Sequence, residues 1–423
     1  MRNIFNQNHP KGLYLLFCVE MWERFSYYGM RALLVLYMIQ VLSFSSQKAG
    51  DIYGLYTGFV YLTPLIGGYL ADRYFGQRKC ITAGAVLMMC GLFLLAFGPK
   101  SLFLLSLFLM VTANGFFKSN ISSVLGLMYG NENDKKDSAF TIFYMGINFG
   151  AFFSPLICGT LAVKYGFRYG FAAAGIGMLI GLILYKIFEN KLLGNYGAEP
   201  VRVKAEVSDT TETADEKKRV FALISLMLFT IPFWICFEQA GSSLTLFAEY
   251  QTNRSFFGHE IPTGYFQALN PFFIITIAPL MSLLWENLRS IHKEPTSVEK
   301  FCISLFIMTI AYAFLTLAGY LSQTGSVSPL WLVFGYLIMT LSELCLSPIG
   351  LSLVSKLAPA KFLSLMMGTW FLTSFFGNLI AGMWGGGYGS LSAVRVFAPL
   401  TVFIFIAFLI LLCFRKKLNK QIE

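Results

Sequence analysis

Apolar residues in this chain come in long blocks, not in the short amphipathic stripes of a water-soluble domain. Twelve blocks are each long enough to cross a bilayer core of about 30 Å, which takes about 20 helical residues. They span residues 12–40, 51–72, 80–98, 101–128, 138–161, 167–188, 219–248, 262–286, 300–320, 329–354, 362–384 and 393–414. Short polar stretches separate them, and the pattern predicts an all-α polytopic membrane protein. The first block is interrupted by Glu20 and lacks a small-residue cleavage site, so it does not read as a secretory signal peptide.

One polar stretch is much longer than the others. From Asn190 to Arg219 the chain reads NKLLGNYGAEPVRVKAEVSDTTETADEKKR, with mixed charge and few large apolar residues. That composition predicts a solvated cytoplasmic linker. The expected organisation is a six-helix bundle over 1–189, a linker over 190–218 and a second six-helix bundle over 219–423. Two bundles of six suit a carrier whose site lies near mid-membrane.

Composition sharpens this picture. Of 423 residues 56% are hydrophobic and 13% charged, with a mean hydropathy of +0.63, against about 25% charged in soluble domains. The net charge of +10 would suit a nucleic-acid partner only on a folded soluble domain. Its distribution points to the bilayer instead. With the N-terminus inside, only Lys48, Lys100, Lys164, Arg168, Arg254 and Arg395 fall in outer segments, and Arg24, Arg31 and Lys118 lie within spans. The other Lys and Arg are all on the inner side, which predicts both termini in the cytoplasm of a multi-pass cell-membrane protein, inner or plasma membrane. The eight cysteines sit in or beside spans and read as small packing residues, not as metal ligands or disulfides. His9, His259 and His292 all lie outside the spans, so proton chemistry inside the membrane falls to carboxylates.

Carboxylates are present there. The first span contains CVEMWERFSYYGMRALLVLYM. At 100° per residue Glu20, Arg24, Tyr27 and Arg31 share one face, Glu23 and Tyr28 flank it, and Trp22, Phe25 and Gly29 lie opposite. An ion near the bilayer centre costs roughly 2.5–3.5 kcal/mol on insertion scales, so this stripe should face a bundle interior or a wet cavity. Glu20 and Arg24 are four apart and can pair along the helix. Lys118, Glu238 and Glu343 add ionisable groups in spans 4, 7 and 10. Four carboxylates face three cations, and a single proton would balance the set.

Depth suggests how these groups pair. Arg31 and Glu238 each lie about 28–30 Å of helix in from the inner ends of their spans, at 1.5 Å per residue. Lys118 and Glu343 lie about 26 and 21 Å in from the outer ends of theirs. The expectation is an outer pair Arg31–Glu238 and an inner pair Lys118–Glu343, each joining the two halves as a gate. Fixed structural pairs are the competing reading, and buried pairs are weak stability devices.

Several motifs resemble known families. PLIGGYLADRYFGQRK, with Gly67, Gly68, Asp72, Arg73, Gly76, Arg78 and Lys79, resembles the loop motif after the second span in the major facilitator superfamily. PLMSLLWENLRSIHK after span 8 is a faint echo, aligning Pro279 with Pro64 and Asn287 with Asp72. EMWERFSYYGMR and FTIFYMGINFGAFFSPLICG resemble the two signatures of the proton-dependent oligopeptide transporter (POT, or peptide transporter) family. FKSNISS, FWICFEQAGSSL, FQALNPFFI, LSELCLSPIGLS and MMGTWFLTSFFGN are similar to its other motifs.

The resemblance implies a major facilitator fold of twelve transmembrane helices in two six-helix bundles, and a proton-coupled symporter importing di- and tripeptides by alternating access. It assigns Glu20, Glu23 and Arg24 to proton coupling. Arg24, Tyr28 and Lys118 would meet the peptide carboxylate; Asn148, Asn270 and Glu343 the peptide amino terminus. Arg31 with Glu238 and Lys118 with Glu343 would be gates, and Tyr27, Tyr61, Trp234 and Trp370 would line side-chain pockets. Both tryptophans could instead be lipid-facing or packing residues, and Asn270, just before Pro271, could simply satisfy a carbonyl in a bent helix. The substrates would be peptides and protons, with the lipid bilayer as surroundings and no cofactor, metal or nucleic acid. The chain is expected to act as a monomer, although no residue fixes an oligomeric state. Two helices that many bacterial members carry between their halves have no counterpart here. A carrier for a non-peptide solute such as nitrate or another small anion stays open. No nucleophile–base pair or HExxH-type motif lies in the spans, which argues against an enzyme.

Overall fold

A computed structural model describes residues 9–130, 133–200, 214–256, 258–357, 363–389 and 391–422. Six membrane-length helices occupy the N-terminal part: α1 (Lys11–Gln40), α2 (Ser46–Leu70), α3 (Gln77–Phe97), α4 (Phe103–Tyr129), α5 (Asn133–Tyr165) and α6 (Phe167–Leu193). The C-terminal part holds three short helices in succession, α7 (Ala214–Leu228), α8 (Thr230–Phe237) and α9 (Ser243–Tyr250). Five long ones follow: α10 (Leu269–Ser290), α11 (Ser297–Leu321), α12 (Leu330–Leu357), α13 (Leu363–Gly386) and α14 (Ala393–Ile422). Ser255–Phe256 and His259–Glu260 form a two-residue antiparallel hairpin in the α9–α10 connection. Among the described residues nine segments are long and apolar enough to cross a membrane. The charges of α1 keep it outside that group.

The chain divides into two compact units. One is Met1–Tyr37 with Phe59–Ala205; the other is Met38–Gly58 with Glu206–Glu423. The first part of α2 thus belongs with the second unit.

Close backbone approach builds the first unit. A Cβ on Gly67 of α2 would fall 1.9 Å from the Gly115 carbonyl oxygen of α4, so only glycine fits. On α5, Gly146 and Gly150, one turn apart, admit α1 at Phe17 and Met21: a Cβ on Gly150 would lie 2.2 Å from the Met21 carbonyl oxygen. Small residues let membrane helices approach and gain dispersion contact that lipid-facing Leu cannot supply. At the α2–α3 turn a π turn over Ala71–Phe75 ends at Gly76 with φ +81°. The Arg78 guanidinium donates to the Gly194 carbonyl (2.8 Å) and the Asn190 side chain (2.5 Å). Its backbone N–H donates 2.9 Å to the Gly197 carbonyl. The turn after α6 is therefore seated on α3; residues 201–213 of the expected linker lie outside the described residues.

In the second unit the seventh span is not one helix. Pro232 falls in the first turn of α8, where its missing N–H leaves no bond unmade. A 3₁₀ turn over Glu238–Gly241 then separates α8 from α9. Broken backbone inside a membrane needs other partners, and side chains supply them. The Ala240 carbonyl accepts from Thr245 Oγ1 (2.8 Å) and Tyr336 Oη (3.3 Å), and the Cys236 carbonyl from Tyr312 Oη (2.5 Å). Tyr53 of α2 closes over the break: a Cβ on Gly241 would meet its hydroxyl at 1.6 Å. Nearby, Gly50 and Gly54 of α2 lie against Gly382 of α13, each too near its backbone for a side chain.

Candidate functional site

The first unit gathers most of the expected charged residues. On α1, Glu20, Glu23 and Arg24 are 2%, 0% and 3% exposed. Arg24 Nε lies 3.2 Å from Glu20 Oε1 and also donates to Glu23 Oε2. One guanidinium thus serves two carboxylates from its own helix, as their spacing of one and four residues permits. Glu20 Oε2, Glu23 Oε1 and Arg24 Nη2 are buried and have no hydrogen-bond partner among the described residues. Unsatisfied buried polar atoms are costly, so a site that keeps three of them is built for more than stability.

Aromatic rings extend the cluster. Arg24 Cζ lies 5.3 Å from the Tyr27 ring centroid and Arg31 Cζ 5.8 Å from that of Tyr28. The α2–α4 approach at Gly67 brings Lys118 Nζ to 4.5 Å from the Tyr61 ring. Such distances are those of cation–π contact. Asn148 is buried on α5 and donates 2.9 Å to the Tyr144 carbonyl one turn back. It sits midway between Gly146 and Gly150, the pair that admits α1. The back of α1 is also packed: Gly29 faces Cys158, while Trp22 and Phe25 lie on Gly181 and Gly177 of α6.

The second unit holds a different set. Asn270 of α10 donates 2.8 Å to Glu343 Oε2 and 3.1 Å to Thr340 Oγ1, both on α12. The Asn270 amide thus serves a carboxylate and a hydroxyl on another helix. Glu238 is buried at the start of the 3₁₀ turn. Trp234 stacks edge-on to Phe233 and Phe237 at 5.1 and 5.8 Å, with its Nε1 buried and unpartnered among the described residues. Trp370 packs on α12, where a Cβ on Gly350 would meet its Cη2 at 2.0 Å. Both tryptophans thus have packing roles within the unit. Thr340 and Gly350 were not foreseen from the sequence. Thr340 precedes Glu343 by three residues, so the shared helix face was the available signal.

A charged, glycine-admitted α1 beside a basic α4, with a carboxylate–amide pair in the other unit, is a carrier's inventory. The sequence model described as the POT family matches residues 78–192 and 190–386. The chain belongs to the POT family. It is 34% identical to the peptide transporter YePEPT of Yersinia enterocolitica over 448 residues, covering 89% of this chain and 88% of the relative. It is 30% identical to dipeptide and tripeptide permease A of Escherichia coli, covering 91% and 85%. The fold superposes on the crystal structure of a POT family transporter in complex with 5-aminolevulinic acid with a TM-score of 0.90. That match has 30% identity and covers 98% of each chain. The architecture is the major facilitator superfamily fold, and the chain is a multi-pass membrane protein of a transporter family. Membership gives the two signatures a physical reading: one carries the Glu20–Glu23–Arg24 triad, and the other carries the glycines of α5 that let the triad's helix dock.

Proposed function

We propose that this POT family member imports di- and tripeptides together with protons across the cell membrane by alternating access, with both termini cytoplasmic. The observation that carries the reading is the segregation of charge between the two units. Among the described residues inside the spans, the first holds the cations Arg24, Arg31 and Lys118 beside Glu20 and Glu23, and the second holds the carboxylates Glu238 and Glu343. A peptide is a zwitterion whose side chains vary, so a promiscuous carrier should clamp its two ends by charge. Arg24, Tyr28 and Lys118 take the peptide carboxylate. Glu343, with Asn270 and Asn148, takes the amino group, and Tyr27, Tyr61, Trp234 and Trp370 supply surface to the side chains. Arg31 with Glu238 and Lys118 with Glu343 alternate as gates.

The Glu20–Glu23–Arg24 triad carries the proton. With both carboxylates ionised it bears one net negative charge, and a proton on either makes it neutral. Substrate arriving at Arg24 competes with those carboxylates for the guanidinium, which couples peptide binding to protonation. The carrier performs no bond chemistry on its substrate. A small anion alone would leave Glu343 and its amide partner without a role, which disfavours the nitrate-type reading. Uptake of labelled dialanine into liposomes containing the purified protein tests the proposal. Accumulation driven by an inward-acid pH gradient and collapsed by an ionophore is expected. Folded protein that moves no peptide would overturn the substrate assignment.

A further inference from the structure

Far from the charged residues, the second unit carries a trough of about 520 Å³ on its surface, walled by α7 and α8 on one side and α14 on the other. The wall on α7–α8 runs from Phe221 to Pro232, and the wall on α14 from Phe414 back to Phe403. Each covers twelve residues, eleven steps or about 16 Å at helical rise, and one leaflet of a hydrocarbon core of about 30 Å is about 15 Å thick. The trough is therefore one leaflet deep. Its rims are large and apolar, with Phe221 65% and Phe414 51% exposed. The helix break at Phe229 and Pro232 in the seventh span shapes its deep end.

The shallow end has a different character. One turn beyond Phe414 polar groups join the lining, Lys417 and then Gln421, four residues apart on one face of α14 and flanking Leu418. Lys417 has no carboxylate partner among the described residues, whereas Arg415, on another face, approaches Glu299 at 3.9 Å. Lys416 and Lys420 on α14 and Arg219 on α7 add positive charge at the same helix ends. An apolar trough one leaflet deep, capped by a cation with no carboxylate partner among the described residues, matches an acyl chain bonded to a phosphate. We infer that this trough binds an anionic glycerophospholipid from the leaflet on the side of the C-terminus, with one acyl chain along α14 and the phosphate on Lys417 and Gln421. The surrounding basic residues select a net-negative headgroup over a zwitterionic one.

Thermal unfolding of the full chain in neutral detergent tests this, with dioleoyl-phosphatidylglycerol, dioleoyl-phosphatidylcholine or inorganic phosphate added at equal concentration. Phosphatidylglycerol should raise the midpoint by several degrees and stay bound as one molecule per chain in native mass spectrometry; the other two should do neither. Lys417→Gln, which removes the cation, and Ser225→Phe, which fills the trough, should each abolish the preference. Ile406→Trp, at an exposed lining position, serves if the Phe variant does not fold. Lys416→Gln, outside the lining, should keep the preference. Equal shifts with both lipids would reduce the trough to ordinary lipid contact and overturn the assignment. So would a preference that survives Lys417→Gln, or one lost equally with Lys416→Gln, since that is diffuse surface charge.

Discussion

The two units hold their buried carboxylates in opposite ways. In the first, Glu20 and Glu23 share Arg24, a charged partner on the same helix, and each keeps one buried oxygen unpartnered among the described residues. In the second, Glu343 is held by the neutral amide of Asn270, 73 residues away on another helix. A carboxylate beside an Arg can trade its proton against a competing anion. A carboxylate held by an amide keeps its charge uncompensated by that partner, which suits the proposed reception of an amino group. The proposed function thus divides exchange and reception between the two units.

Breaking the first arrangement should have the largest effect. Glu20→Gln keeps the shape and removes the exchangeable charge, so proton-driven accumulation of dialanine should vanish while peptide counterflow continues. Accumulation at the wild-type level would remove Glu20 from coupling. In the second unit, Glu343→Gln removes the charge offered to an amino group. Hydrogen bonds to charged groups contribute roughly 1.5–3 kcal/mol, so the half-saturating concentration of dialanine should rise about 10- to 150-fold. Inhibition by an analogue lacking the amino group should change little, and an equal loss for both ligands would show that Glu343 is structural. Asn270→Ala leaves the carboxylate in place without its orienting donor. Losing the orienting donor should cost less than losing the charge, so a loss of apparent affinity below about tenfold is expected, with proton-driven accumulation retained.

The smallest effect is expected at Glu294, outside the spans between α10 and α11. It accepts from Arg289 Nε (2.6 Å) and Lys300 Nζ (2.7 Å). These partners, Arg289 first, lower its pKa from 4.5 to about 2. Because the folded value lies below the unfolded one, its contribution is complete above pH 4.5 and is lost as pH falls towards 2. Glu294→Gln should therefore flatten that acid limb in thermal unfolding and leave transport near neutral pH unchanged. A variant with an unaltered acid limb would show that the pair contributes no stability.

The contrast between the units also explains what could be read in advance. The triad was legible because its members are one, three and four residues apart, and helical periodicity alone puts them on one face. The Asn270–Glu343 bond joins α10 to α12, and no local spacing announces it; only motif resemblance pointed there. Twelve hydrophobic blocks were visible, yet the breaking of the seventh into α7, α8 and α9 was not. Its cause lies partly in distant hydroxyls, those of Tyr312 and Tyr336, that donate to the freed carbonyls of Cys236 and Ala240. Packing of Trp234 and Trp370 was open as a reading, but the partner was hidden for Trp370, since the glycine it packs on, Gly350, lies on a different helix.

The seat of α2 on α13 has a consequence in time. Gly50 and Gly382 meet backbone to backbone, yet a ribosome adding about 5–20 residues per second makes the second roughly 15–65 s after the first. During that interval the Gly50–Gly54 end of α2 lacks its native seat on α13, while Gly67 can already meet Gly115 of α4. A nascent chain arrested before α13 should therefore hold the Gly67 end of α2 docked and the Gly50 end laterally unsettled. The last helices to leave the ribosome decide when that end comes to rest.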